Sequence, residues 1–277
     1  MSKKTPKPTL MTLPAEIRVE ILSYVVTQPP NIGFRRPNPI KPTAVRGMEL
    51  DPNYSSSANL AILTTCRQFR QDVLGLAFRS TTFHITDMHT SLTSIIRPLS
   101  DYQIRNLRRL VIVVGDPQLL NMVLWQRWPF NMEELQLDSL TVAMFSAPYL
   151  HFPSNYSKAL VLLLRRLENV KRLVFMLNGA NVRGFFRQWY NQLIGLVLKE
   201  DHHQRYCVTD APRPERTWWM WRYDDAAKWF ELLAQKPKPI IADEAEYMEM
   251  VKPLVQKLIS DMEGEPENES GNESDGF

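Results

Sequence analysis

Apolar residues recur at Leu13, Ile17, Ile21 and Val25, with Leu22 and Tyr24 widening the stripe, while Glu16, Arg18 and Glu20 take the other side. Spacings of three and four residues predict an amphipathic helix. Thr12 is placed to cap it, and Pro14 falls in its first turn, where a missing N–H costs little. Pro29-Pro30 stops it. From 27 to 57 the pattern disappears. Six prolines and clusters of Asn and Ser there predict a long loop. A second helix is predicted over 57–78, burying Leu60, Leu63, Cys66, Phe69, Val73, Leu76 and Ala77. The stretch 81–86 alternates, with Phe83 and Ile85 on one face, and predicts a short strand.

A repeating device follows. Asn106-Leu107-Arg108-Arg109-Leu110-Val111-Ile112 is echoed by Asn131-Met132-Glu133-Glu134-Leu135-Gln136-Leu137, and again by Asn169-Val170-Lys171-Arg172-Leu173-Val174-Phe175. The charged pair suits a solvent-facing turn, and the Leu-x-apolar ending suits a strand entering a core. Helices are predicted between them, over 117–125, 156–167 and 182–199. Strand–helix alternation on a recurring leucine core resembles a leucine-rich array, whose stacked units bury a face that none buries alone. The second Leu recurs at 110, 135 and 173, and the longer interval does not fit a regular horseshoe. The expected fold is therefore α+β: a helical pair, then a degenerate leucine-rich-like domain with a short, partly parallel sheet. Beyond residue 200, the stretches 205–208 and 217–221 are predicted to pair as strands. Helices are predicted over 224–234 and 243–261, with Pro253 kinking the second.

Leu13-Pro14-Ala15-Glu16-Ile17-Arg18, then Ile21-Leu22-Ser23-Tyr24-Val25, resembles the LPxEI helix of F-box-like proteins. Leu63-Thr64-Thr65-Cys66-Arg67-Gln68-Phe69-Arg70, with Leu76-Ala77-Phe78 and Thr82-Phe83 after it, resembles their second signature. The version with a long insertion and a TCRQ helix is typical of a large group of filamentous-fungal proteins. The resemblance covers residues 10–86, thins by residue 114 and says nothing of 178–277. It implies a helical pair that binds the linker subunit of an SCF-type ubiquitin ligase, while the rest of the chain selects a substrate. By position, Leu13, Pro14, Ile17, Ile21 and Leu22 would form the docking face, with Leu63 and Phe69 behind it. The insertion of some thirty residues between the helices departs from the compact F-box. A plain alternative is that the helices cap the first strands of a helix–sheet domain.

The resulting division is an arm (1–11), an F-box-like region (12–86) with a Pro-rich insertion (27–57), an α+β domain (87–260) and an acidic tail (261–277). The tail holds seven acids and no Lys or Arg, so residues 1–260 carry +10 although the chain carries +3. Such a tail is expected to be disordered. A nucleic-acid- or chromatin-associated role is the alternative function, though Lys and Arg are scattered rather than gathered in a stripe. The cysteines, Cys66 and Cys207, are expected to be buried free thiols. No apolar run follows the opening Lys-Pro-Thr arm and none is long enough to span a bilayer. The expectation is a cytoplasmic or nuclear protein without membrane contact.

No G-x-G-x-x-G, GxxxxGK[ST] or G-x-S-x-G occurs among ten scattered glycines. Neither catalytic residues nor a cofactor is expected. Asp201-His202-His203 with Cys207 has metal-ligating types but no partner set for a tetrahedral site, so it is read as a polar loop. Trp218-Trp219-Met220-Trp221, flanked by Arg216 and Arg222, is the most unusual composition. Aromatics with arginine are hot-spot residues, which makes Arg216, Trp218, Trp219, Trp221 and Arg222 a possible second partner surface. They would also suit base stacking. A strand that places Trp218 and Met220 on one face and Trp219 and Trp221 on the other, burying both against helices, is the reading set against these.

Overall fold

The structure is a computed structural model that describes residues 9–36, 47–87, 92–145, 154–179 and 186–263. The expected arm and acidic tail lie almost wholly outside these residues, as does the 37–46 part of the insertion.

Helix α1 (Ala15–Val26) starts on Pro14 rather than Thr12, whose hydroxyl instead bonds Thr9 O at 2.8 Å in a preceding 3-10 turn. A two-strand ribbon, β1 (Phe34–Arg35) and β2 (Glu49–Leu50), follows. The helix expected over 57–78 is three: α2 (Ser56–Leu60), α3 (Ile62–Thr65) and α4 (Arg67–Ser80). The break before α4 falls at Cys66, which adopts an extended backbone and caps α4 by accepting from Phe69 N through Sγ. A β-region cap residue cannot continue the preceding helix.

Strand β3 (Thr82–Ile85) opens the main sheet. Helices α5 (Leu92–Ile96) and α6 (Asp101–Asn106) lead to β4 (Arg109–Val114), and α7 (Asp116–Val123) leads to β5 (Ser139–Met144). Helix α8 (Ser157–Arg166) leads to β6 (Arg172–Met176), then α9 (Phe186–His202) runs on into a π-helical turn, His203–Cys207. Strands β7 (Trp218–Asp224) and β8 (Trp229–Gln235) form a hairpin, and α10 (Glu244–Glu263) closes the described chain with Pro253 inside it. The fold is α+β. Its six-stranded sheet has the order β3-β4-β5-β6-β8-β7, with β3 to β6 parallel and β8 and β7 antiparallel.

Two sequence expectations change here. The stretch 205–208 is not a strand, because α9 continues through it. The stretch 224–234 is not a helix: it is a turn followed by β8, which pairs with β6 and β7. The repeat also moves. Leu135 precedes its strand, and the register aligns Phe83, Leu110, Leu140 and Leu173, so the structural spacings are 27, 30 and 33 residues. The repeat turns are stitched to one another: Arg108 Nη1 donates to Gln136 O (2.7 Å) and Asn169 Nδ2 to Glu133 O (2.8 Å).

Side chains in register share a sheet face. Phe83, Leu110, Leu140, Leu173, Leu232 and Trp221 form one row across all six strands, and Ile85, Ile112, Val142, Phe175, Phe230 and Tyr223 form the next. This face meets α5, α7, α8, α9 and α10 in the main core. Because β3 hydrogen-bonds β4, the segment before residue 87 and the one after it share this sheet.

The opposite face is partly covered by the described ends of the insertion. Phe34, Met48 and Leu50 pack on Val111, Val113, Ala143, Val174, Met176, Ala227 and Trp229. Met48 N donates to Ala227 O (2.8 Å) and Leu50 N to Asn178 Oδ1 (2.9 Å). The stretch expected as a loop thus supplies a second layer from both its ends. Gly33, with φ +85°, makes the turn into β1, and a Cβ there would meet His84 Nε2 at 2.5 Å; only glycine fits both demands.

That packing sets a pH response. His84 sits between Tyr54 (ring centroids 4.5 Å apart) and Phe34 (5.9 Å), with Nε2 buried and unpartnered. Burial pushes its pKa down from 6.5 to about 4, against a small opposing pull from Asp51. The unfolded chain therefore binds a proton that the folded chain refuses, and stability falls as pH drops from 6.5 towards 4. The expected loss is about 2 kcal/mol. Denaturant titrations at pH 7 and pH 4.5 should show this loss in the parent and a flatter profile in His84→Phe; parallel profiles would contradict it.

Candidate functional site

Helix α1 carries more apolar residues than one face can hold. Its buried stripe is Arg18, Leu22 and Val26, spaced four apart, and Leu22 and Val26 are sealed against the rest of the fold. A fork fixes this stripe on α4: Arg18 Nε donates to Asp72 Oδ2 (2.8 Å) and Nη2 to Oδ1 (3.4 Å), while Nη1 reaches Leu13 O (2.6 Å). Gln68 also donates to Asp72. The hydrogen bond from Arg18 holds the Asp72 carboxyl below its ordinary value.

The neighbouring stripe is left in solvent. Ile17, Ile21, Tyr24 and Val25 are 43%, 40%, 78% and 59% exposed, and Pro14 and Met11 extend the patch past the helix start. Apolar surface gathered on one helix face is the form that contact surfaces take. Of the positions carried over from the family likeness, Pro14, Ile17 and Ile21 lie on this patch, and Leu13 is half-buried at its edge. Leu22 does not belong to it: at 1% exposure it is an anchor of the core. Leu63 on α3 and Phe69 on α4 are half-buried. Tyr24 and Val25 join the surface instead. The signal for them was the excess of apolar positions, since a single-faced helix needs only one stripe.

The second surface is corrected more strongly. Trp218, Trp219 and Trp221 are 6%, 2% and 3% exposed. Trp219 and Trp221 alternate onto the helix face of β7, where Trp219 Nε1 donates to Leu164 O (2.8 Å). Trp218 is closed over by Lys238, whose Nζ lies 3.0 Å from the ring centroid. Arg216 and Arg222 remain exposed, but they are held by Glu168 (3.0 Å) and Glu231 (2.6 Å). The tryptophans are core, so they offer no rings for a partner or a base.

Asp201-His202-His203 is also not a loop. It ends α9, and Asp201, completely buried, becomes the hub of an ionic cluster. Oδ1 accepts from Arg165 (2.8 Å) and Arg205 (3.1 Å), and Oδ2 from Lys238 (3.0 Å) and the Tyr247 hydroxyl (2.6 Å). Glu215 completes it, accepting from Arg205 (2.7 Å) and from Lys238 N (2.8 Å). Burial alone would raise the Asp201 carboxyl. Lys238, Tyr247, Arg165 and Arg205 outweigh that and hold it far below the carboxylate range. Lys238 moves the other way from an ordinary paired lysine, because burial lowers its proton affinity more than Asp201 restores it. The cluster ties α9, the 208–217 loop, the 236–239 link and α10 together. His202 points elsewhere, to Glu244 at 2.7 Å. Cys207 is exposed rather than buried, and Cys66 is half-buried at its cap; both thiols are free.

No family profile, curated protein or solved structure matches the chain. Among the described residues, no helix is long and apolar enough to cross a membrane, and no group of three or more His, Cys, Asp or Glu is placed to hold a metal ion.

Proposed function

We propose that the chain is a non-enzymatic protein-interaction module, an F-box-like substrate adaptor that docks the linker subunit of an SCF-type ubiquitin ligase through α1. The observation that carries this is the second apolar face of α1, Ile17-Ile21-Tyr24-Val25, held in solvent while the Arg18–Asp72 fork fixes the first face on α4. The LPAEI and TCRQF segments favour a ligase linker as the occupant. A rigidly mounted helix with an apolar stripe is the form that helix-in-groove recognition uses. The described ends of the insertion fold onto the sheet through Phe34, Met48 and Leu50, and the Arg18–Asp72 pair holds α1 on α4 across it. The nucleic-acid alternative loses its stacking residues, since Trp218, Trp219 and Trp221 are buried.

The test is binding of the purified full chain to purified linker subunit by calorimetry. Ile17→Asp with Ile21→Asp is expected to weaken association at least about 100-fold, because each buried aliphatic side chain contributes about 1.5–3 kcal/mol. Both positions are exposed in the free chain, so its circular dichroism and melting should not change. Failure of the parent chain to bind the linker, or binding that survives the double substitution, would overturn the reading.

A further inference from the structure

Helix α10 ends at Glu263, and its last turns line a cleft of about 170 Å³ beside β7, the edge strand of the sheet. Arg187 from α9, Arg222 and Tyr223 from β7, and Lys257 and Asp261 from α10 meet there. Three contacts tie these elements together. Lys257 Nζ donates to Trp221 O (3.1 Å), Arg187 Nη2 donates to Asp261 O (3.2 Å), and the Arg187 guanidinium lies 5.6 Å from the Tyr223 ring centroid.

The cleft has more cations than acids to meet them. Arg187 and Lys257 donate to main-chain carbonyls, and no acid pairs with either among the described residues. Arg222 shares Glu231 with Arg172, and its side chain is 69% exposed. Of the acids in the lining, Asp225 is taken by Lys228 at 2.8 Å. Beyond the shared Glu231, the Asp261 carboxylate alone is left to face three cations. Arg222 and Lys257 stand in solvent, where an added carboxylate reaches them. Like charges gathered at one cleft concentrate the attraction for the opposite sign.

The chain supplies carboxylates in the residues that come next. Residues 264–277 follow Glu263 directly and hold Glu265, Glu267, Glu269, Glu273 and Asp275 without a Lys or Arg. Composition by itself predicts disorder there, but the cations where α10 ends give this segment a place to dock. Pro266 biases Glu265 towards extended backbone. In that form every second side chain faces the same way, so Glu265, Glu267 and Glu269 make one acidic edge with about 6.6 Å between neighbours. We propose that the segment 264–277 folds back along β7, with Glu265, Glu267 and Glu269 pairing with Arg187, Arg222 and Lys257. The segment then covers this cationic surface, and an outside acidic partner has to displace it. The cleft does not involve α1, so it stands apart from the docking surface.

The test follows the amides of residues 264–277 by NMR in the isotope-labelled full chain, against a synthetic peptide of the same sequence. In about 0.01 M salt, where charges act over about 30 Å, the amides of 265–269 should be displaced from their peptide positions. At about 1 M, where the range is about 3 Å, the displacement should vanish. Arg222→Gln with Lys257→Gln should reduce it by at least about half, since two of the three cations are gone. Both positions are exposed, so the circular dichroism of this variant should match the parent. Lys252→Gln, exposed on α10 but outside the cleft lining, should leave the displacement in place. Peptide-like amides at low salt, a displacement that survives the double substitution, or one that falls equally in Lys252→Gln overturns the assignment.

Discussion

Replacing Asp201 with alanine is expected to cost about 3–5 kcal/mol of stability, the usual penalty for removing one partner from a buried ion cluster. Three cations, Arg165, Arg205 and Lys238, converge on a region with only Asp201 and Glu215 to balance them. Without Asp201 the excess positive charge stays desolvated, and the Tyr247 hydroxyl loses its acceptor. Calorimetry should show a fall in Tm of roughly 10 °C or more. Asp201→Asn, which keeps the volume but not the charge, should lose most of the same stability. A melting temperature within two or three degrees of the parent would mean that the cluster is merely tolerated. The pH sign follows from the depressed carboxyl: its contribution is complete above the ordinary value of 3.8 and is lost as pH falls below it towards the folded value. Since His84 loses its share between 6.5 and 4, acid should weaken the fold in two stages.

Phe230→Ala is expected to cost a similar amount, about 3–5 kcal/mol, by leaving a cavity at the centre of the helix-side core. The ring is fully buried, with Phe175 (5.0 Å), Tyr190 (5.1 Å), Trp189 (5.2 Å) and Phe186 (5.5 Å) around it. Phe230→Leu, which keeps most of the volume, should cost less than about 1.5 kcal/mol. Urea titration is the measure: the midpoint should drop while the slope holds. A loss below 1 kcal/mol in the alanine variant would show that the aromatic ring of neighbours collapses freely into the gap.

Phe230 also shows where local pattern misleads. Residues 224–234 contain Ala226-Ala227 and Leu232-Leu233-Ala234, good helix formers, and read as a helix. They form a turn and a strand because β6 and β7 offer two ladders to pair with, and Phe230 fills the row already set by Phe175. Helix propensities differ by less than about 1 kcal/mol per residue for such residues, which burial of one aromatic ring exceeds. The same competition decides 205–208. There α9 continues so that Arg205 can reach both Asp201 and Glu215, which no short strand would allow.

The repeat was half legible. Its recurring Asn, charged pair and Leu-x-apolar ending mark the turns and two of the three strands. Counting from Leu135 gave uneven intervals, because that leucine is a buried turn residue and Leu140 holds the register. Periodicity in sequence sees which residues are apolar; it does not see which of two nearby leucines faces its neighbour across a ladder.

For the candidate surface, the sequence by itself determined a helix over 13–26, two residues early at its start, its apolar excess and the likeness to LPxEI. It could not divide that excess into two faces. Once Arg18 pairs with Asp72, fifty-four residues away, Leu22 turns inward and Ile17, Ile21, Tyr24 and Val25 turn outward. Likewise Arg109 reads as one member of a charged turn, and only the fold leaves its Nη1 buried without a hydrogen-bond partner. Local spacing fixes which elements form, because helix and strand periods are properties of neighbouring residues. Which side of each element meets solvent depends on partners far along the chain, and those meet only in the folded structure.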